Sequence, residues 1–348
     1  MKFFIIPILL LISTSAVFPQ TELTLDQAIR LALQKNSGLI QQENELSRSE
    51  SSLDAAYGNF LPDLGAYGSW DWRKNKSDAV SNDSRTYSVG ASSRIVLFDG
   101  LSNFANLSRS KNNVESVKLS IEQKKQEVVF QTINLYYSIV EADQLLKVRE
   151  EDVKQQQKNL ETIEERNRLG SVTKADVYQQ QVQLGNAELQ VIQQKNILET
   201  SKSNLLFYLG LDVLQNYTYS DKLTEKELNI LETDINTDYD RLNELVSNAL
   251  ENRRDYLAQK LTLDSYQDNL TIAQSGHLPS LTGNLGYGTS ADIPGDLFES
   301  QTYTAGLTLN IPIFSGFATQ NAIQSAEVDV MNYELQLKDS ERLIKIFS

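Results

Sequence analysis

The chain has 348 residues, a formal net charge of -14 at pH 7, one histidine and no cysteine. These numbers exclude a disulfide framework, a lipid-modified cysteine anchor and any Cys–His metal or nucleophile arrangement. The acidity argues against a nucleic-acid partner, which needs a basic face.

The first residues, MKFFIIPILLLISTSAVFPQ, read as a secretory signal peptide over 1–16. Lys2 supplies the positive start, Phe3 to Ile12 the apolar stretch, and Thr14-Ser15-Ala16 the small-residue cleavage site. About ten apolar residues are half of the ~20 a helical span needs, and no later stretch reaches that length. The expectation is an exported chain without a transmembrane helix.

From Leu23 the chain reads LTLDQAIRLALQKN, then FLPDLGAYG, then a strand-like run ending IVLFDG, then a long polar helix. About 217 residues later the order returns as LNELVSNALENR, HLPSLTGNLGYG, LTLNIPIFSG and the start of another polar helix, the mark of an internal repeat. Pro62 falls on Pro279, and Phe98-Asp99-Gly100 on Phe314-Ser315-Gly316. The chain therefore reads as a tandem duplication of helix, two strands and long helix, with the halves packed side by side.

Arg85 to Phe98 alternates. Tyr87, Val89, Ala91, Ile95 and Leu97 share one face, and Thr86, Ser88, Gly90, Ser92 and Arg94 the other. Its counterpart sets Tyr303, Ala305, Leu307, Leu309, Ile311 and Ile313 against Thr302, Thr304, Gly306, Thr308 and Asn310. Weaker alternation marks Leu64 to Trp72 and Leu281 to Tyr287. One apolar face and one small-polar face fit either a sandwich or a membrane barrel, and the small polar residues favour a wet lumen. Trp70, Trp72, Tyr87, Tyr287 and Tyr303 are candidates for an interfacial aromatic girdle. Four such strands cannot close a barrel, so strands that span a membrane must be pooled from several chains. The segments Arg73 to Ser84 and Thr289 to Ser300 are then expected as outer loops.

Leu101 to Arg168 contains neither Pro nor Gly. As one helix these residues span about 100 Å. Apolar residues recur every seven positions: Leu107, Val114, Ile121, Val128 and Leu135, then, after a phase change near Glu141 to Leu145, Leu146, Val153 and Leu160. The beat restarts at Val177 and continues through Leu184, Val191, Leu198 and Leu205, which predicts a coiled-coil seam. Gly170 stops the first helix, Thr173 caps the second, and Asp176 favours the positive end of its dipole. The two helices read as an antiparallel hairpin with Gly170 at its tip.

These residues resemble the TolC-like outer-membrane efflux protein family. The resemblance runs from about Leu23 to the end of the sequence, and RNRLGSVTKADVYQQQVQLGNAELQVIQQKNILETSKSNLLFYLGLD carries it most strongly. It implies a mainly α protein with membrane β: a homotrimer whose chains each give four strands to a shared twelve-stranded outer-membrane barrel. The coiled helices would continue as a periplasmic tunnel. The first repeat would occupy 21–212, an equatorial linker 213–237 and the second repeat 238–348. The duct would be passive and without cofactor, served by an inner-membrane transporter and a periplasmic adaptor. The adaptor would dock at Leu169, Gly170, Ser171 and Val172, where the family's usual tip reads Val-Gly-Leu or Val-Gly-Thr. Asp176 matches a residue that helps hold the tunnel entrance closed; its other reading is a plain first-turn carboxylate. Ser348 aligns with about Thr132 of the first half, so about 80 residues of a second hairpin are expected either beyond the sequence or lost by truncation. A truncated chain would expose the apolar seam of the helix from Ala318 to Ile346.

An enzyme is not expected. His277 stands alone at a helix-to-strand corner, the carboxylates are spread over helical faces beside Lys and Arg, and no Gly-rich phosphate loop follows a strand. The alternatives to a channel are a periplasmic adaptor, which would lack the duplication, and a structural coiled coil of the envelope, which would leave the strands unexplained.

Overall fold

The structure, a computed structural model, describes residues 21–76, 81–215, 217–219 and 242–347. The expected signal peptide and most of the expected linker lie outside the described residues. The chain divides into two compact units: 1–37 with 127–233, and 38–126 with 234–348.

In the first unit, β1 (Thr21–Leu23) pairs in parallel with β4 (Tyr217–Tyr219). Helix α1 (Leu25–Lys35) starts on a capping box: the Gln27 N–H donates to Thr24 Oγ1, and the Thr24 N–H to Gln27 Oε1. Each bond satisfies a donor that the first helical turn leaves orphaned. Ala28 and Ala32 are fully buried, so only small side chains face the core there. The Tyr136 hydroxyl donates to the Leu23 carbonyl at 3.0 Å, and Asn36 Nδ2 to the Tyr208 carbonyl at 2.9 Å. Gly210 has φ +65°, and a Cβ there would stand 2.8 Å from the Lys35 carbonyl oxygen. That close approach, as well as the left-handed backbone, requires glycine.

Helix α3 (Ser102–Arg168) enters this unit at Glu127 and turns into α4 (Lys174–Tyr208). The pair is antiparallel about Gly170, as expected. Gln180 Nε2 donates to Gln156 Oε1 at 2.9 Å near the turn, and Gln194 Nε2 to the Ala142 carbonyl at 3.1 Å further away. The heptad residues face inward: Val128, Leu160, Leu198 and Leu205 are buried, and Leu135, Leu146, Val153, Val177, Leu184 and Val191 are half-buried. At the phase change, buried Ala142 stands where a leucine would continue the beat of α3, and its carbonyl accepts from the amide of buried Gln194.

The second unit holds α2 (Ser37–Gly58), β2 (Asp63–Lys76), β3 (Ser81–Phe98), the start of α3, α5 (Leu242–Asn252), α6 (Arg254–Ser275), β5 (Ser280–Ala291), a 3-10 turn (Pro294–Asp296), β6 (Gln301–Asn310) and α7 (Ala318–Phe347). The strands form one antiparallel sheet in the order β2-β3-β5-β6. Polar links hold α3 to α6, among them Arg109 to Asn269 Oδ1 at 2.7 Å, Asn112 to Asp268 Oδ2 at 3.0 Å, and the Ser116 hydroxyl to the Ala258 carbonyl at 3.1 Å. Between α6 and α7, the Tyr256 hydroxyl donates to Glu341, and the Tyr266 and Tyr333 rings lie 4.9 Å apart.

The strand ends differ from the expectation. The β2–β3 hairpin continues to the Lys76–Ser81 pair, so most of Arg73 to Ser84 is strand and not loop. The Trp72 indole N–H donates to Asp83 at 3.0 Å and stitches this extension. Its residues are polar on both faces, which hides the alternation in the sequence. Likewise Thr289 to Ala291 complete β5, whereas Ile311 and Ile313 fall past the end of β6, before and after Pro312, which has no N–H to give a ladder.

Burial pushes the Tyr219 phenol up from its ordinary 10.0 to about 12. An unfolded tyrosine ionises first, so this contribution to stability is complete below pH 10.0 and is lost as pH rises from there towards 12. Ultraviolet titration of the folded protein is expected to show a lagging phenol that Tyr219→Phe removes. A titration unchanged by that substitution contradicts the burial.

Candidate functional site

Two places combine exposure with a defined geometry: the hairpin tip in the first unit and the two-faced sheet in the second. At the tip, Gly170 has φ +76°. The Ser171 N–H donates to the Arg166 carbonyl at 2.8 Å and the Gly170 N–H to Asn167 at 2.9 Å. This pair satisfies the orphan carbonyls of the helix end, and the left-handed residue is the one glycine fits best. Asn167 Nδ2 donates to the Val172 carbonyl at 2.8 Å and closes the loop. Leu169 is 65% exposed, Gly170 and Ser171 are exposed, and Val172 is half-buried. The result is a hydrogen-bonded knob with one apolar side chain presented outward.

Thr173 caps α4 through a capping box with Asp176. The Asp176 carboxylate accepts both the Thr173 N–H and the Thr173 hydroxyl at 2.7 Å, and these bonds hold it below its ordinary value. Both of these carboxylate bonds end on Thr173, the geometry of a first-turn capping residue.

In the sheet, Trp70 pairs with Tyr87, and Tyr287 with Tyr303, whose ring centroids lie 5.2 Å apart. Register places Trp70, Trp72, Tyr87, Tyr287 and Tyr303 on one face with Leu64, Ile95, Leu285 and Leu307. The five aromatics do not form one row. Tyr87 pairs with Ala291, four residues beyond Tyr287 on β5, so the two pairs are offset by about 13 Å along the strands. The opposite face carries Ser69, Thr86, Ser88, Arg94, Asn284 and Thr302.

Tyr67 is an aromatic exception on that polar face. It lies in the row Tyr67–Gly90–Gly288–Thr302. Its ring covers Gly90: a Cβ there would stand 2.7 Å from two ring carbons and 2.7 Å from the Tyr287 carbonyl oxygen. Its hydroxyl reaches to within 3.4 Å of where a Gly288 Cβ would be. The sequence signal was present in glycines at 90 and 288, but their alignment across strands needs the register.

His277 is exposed, and its backbone N–H donates to the Gln274 carbonyl at the end of α6. Among the described residues no group of three or more His, Asp or Glu side chains is arranged to hold a metal. No described helix is long and apolar enough to cross a membrane.

With this geometry in view, comparison with known proteins is specific. The family model described as outer membrane efflux protein matches residues 28–211 and 245–343. The chain belongs to the outer membrane efflux protein family. It is 22% identical over 258 residues to outer membrane protein TolC of Vibrio cholerae, covering 73% of this chain and 57% of that one. It is 21% identical over 316 residues to outer membrane protein TolC of Salmonella enteritidis, covering 86% and 62%. The chain thus spans less than two thirds of the length of these curated relatives. Among solved structures, the Campylobacter jejuni CmeC outer membrane channel shares the fold with a TM-score of 0.78 at 18% identity, over 93% of this chain and 68% of that one.

Two outcomes test the local geometry. Gly90→Val drives a side chain into the Tyr67 ring and a β5 carbonyl, and overpacking of this kind costs about 1–3 kcal/mol. The thermal midpoint of the strand signal in circular dichroism is expected to fall, and an unchanged midpoint contradicts the close approach. Thr173→Ala removes the cap hydroxyl, so amide exchange over Lys174 to Asp176 is expected to accelerate several-fold while exchange deep in α4 stays unchanged.

Proposed function

We propose that this chain is the outer-membrane exit duct of a tripartite efflux or type I secretion system, a passive channel for cargo delivered by an inner-membrane pump through a periplasmic adaptor. The observation that carries this reading is a four-stranded sheet with one apolar and one polar face and no described partner on the outer edge of β2 or β6, in a member of the outer membrane efflux protein family. In lipid such edges must be paired. Three chains side by side close the sheet into twelve strands with the Ser- and Thr-rich face inward. The protein sits in the outer membrane, and its helices extend into the periplasm as the tunnel wall.

Two further observations support the duplicated architecture. Helices α1 and α2 have 11 and 22 residues, and so do α5 and α6. The strand-to-helix corners also match: Gly100 with Leu101 and Gly316 with Phe317 are successive positive-φ pairs. Exposed apolar residues on α4, among them Tyr178, Val182 and Leu189, give that helix a second contact stripe besides its seam, as a tunnel wall needs. The knob of Leu169, Gly170, Ser171 and Val172 is the adaptor-docking surface. Asp176 is the candidate gate link, and it must leave its capping box to serve as one. Family membership supports a transport role with no chemical step and no cofactor.

The full reading frame expressed in its native envelope tests the reading. A heat-modifiable trimer in the outer-membrane fraction with single-channel conductance is expected. A periplasmic species without conductance overturns it in favour of an adaptor or structural coiled coil. At the tip, Gly170→Trp strains a left-handed residue by about 1–2 kcal/mol and adds bulk to the knob. Export is expected to be lost with the trimer retained, and undiminished export removes the docking assignment.

A further inference from the structure

We propose that the apolar face of the sheet holds a site for an anionic phosphate-bearing lipid of the outer leaflet, with its headgroup on Arg85 and Lys74 and an acyl chain in the groove beneath. The proposal rests on the reading that this face meets lipid.

The register supplies the first part. Trp72 pairs with Arg85 and Lys74 with Asp83, so both cations stand on the same face as Trp70, Trp72 and Tyr87. Arg85 is level with Trp72 and beyond Trp70 and Tyr87, and Lys74 is one further pair towards the hairpin end of β2 and β3, whereas the opposite strand ends lead into α2 and α3. On the outer-membrane reading this is the outer-leaflet end. The only carboxylate that the register sets beside them is Asp83, which accepts the Trp72 indole N–H at 3.0 Å. Neither cation takes part in an ion pair of the described residues, although Lys118, Lys125, Lys154 and Lys202 each hold a glutamate three residues away. In a chain of net charge -14, two unpaired cations at the rim of an apolar face call for an anionic partner. Aromatic residues just below them mark an interfacial depth, where a lipid phosphate resides.

The second part is the groove. On the same face lies a cleft of about 650 Å³, floored by Ala66 and Ala91 and walled by Leu64, Leu285, Tyr287 and Tyr303. Small residues in the middle and large ones around them make a trough that suits a flexible chain. Ala91 is six residues from Arg85 along β3, about 20 Å at ~3.3 Å per residue. One leaflet of the hydrocarbon core is about 15 Å deep. A headgroup on Arg85 therefore places the deeper part of its acyl chain at the groove. Acyl burial supplies affinity and the cations supply selectivity for phosphate. A free phosphate ion could use only the second contribution.

The test uses the trimer in phosphatidylcholine vesicles, with and without phosphatidic acid, and reads the temperature at which the unboiled trimer dissociates. Phosphatidic acid is expected to raise it by several degrees. That rise is expected to shrink by at least half in Arg85→Gln/Lys74→Gln and in Ala91→Trp, which fills the trough, each compared with its own value in phosphatidylcholine alone. Inorganic phosphate is expected to give no rise. No rise with phosphatidic acid, a full rise in the double variant or in Ala91→Trp, or an equal rise with inorganic phosphate each overturns the lipid site while leaving the duct intact. The absence of any unboiled trimer from the unsubstituted protein overturns the duct reading and the site with it.

Discussion

An antiparallel sheet with unpaired outer edges cannot rest in hydrocarbon. Each exposed N–H and C=O there lacks the water that would satisfy it, at a cost of several kcal/mol per group. In the described residues the outer edge of β2 and the outer edge of β6 have no partner strand. A soluble sandwich could cover such edges or blunt them with charge. Here the face from Leu64 to Leu309 is apolar and largely exposed, which water does not favour. Both conditions are met at once when copies of the chain supply one another's missing edges. For the proposed duct, backbone hydrogen bonding asks for that assembly before any side-chain preference is considered.

The helices obey a softer constraint. Their faces are rich in Gln, Asn, Glu and Lys, and exposed ion pairs such as Glu151–Lys154 contribute little to stability. What orders the α3–α4 pair is the narrow seam of Val128, Leu160, Leu198 and Leu205. Where the seam loses phase, the amide of Gln194 reaches the Ala142 carbonyl; within the intact beat, Thr132 returns its hydroxyl to the Val128 carbonyl. Buried polar groups are tolerated because each is paired. A seam mended with hydrogen bonds keeps register along a long pair whose apolar content is low.

Much of this was legible in the sequence because it rests on periods. The seven-residue beat identified Val128, Leu160, Leu198 and Leu205 among the buried residues of α3 and α4 but not Tyr136, Ile139 or Ala187, and the two-residue beat identified the apolar strand face. The capping box at Thr173 and the left-handed stop at Gly170 were legible because they depend on residues a few positions apart. The outer ends of β2 and β3 were not, because polar residues on both faces erase the two-residue beat. Nor was the offset of the aromatics: Trp70 with Tyr87 and Tyr287 with Tyr303 share a face, but their depths depend on pairing between β3 and β5. Tyr67 escaped for the same reason. Its bed of Gly90 and Gly288 comes from two strands distant in sequence.

The tip adds a constraint on how such a hairpin could switch. Asp176 accepts two bonds from Thr173, and its own N–H returns one to the Thr173 hydroxyl. Both carboxylate contacts fall on one oxygen, Oδ2, which leaves Oδ1 outside the cap. A gate link using Oδ1 would leave the helix cap intact and could break without fraying α4. A link using Oδ2 would compete with the cap, and opening would then be favoured by the cap re-forming. In the first case the Asp176 carboxylate serves the cap and the gate through separate oxygens. In the second the start of α4 and the closed gate draw on the same oxygen, so strengthening one weakens the other, and the hairpin tip becomes a two-state element.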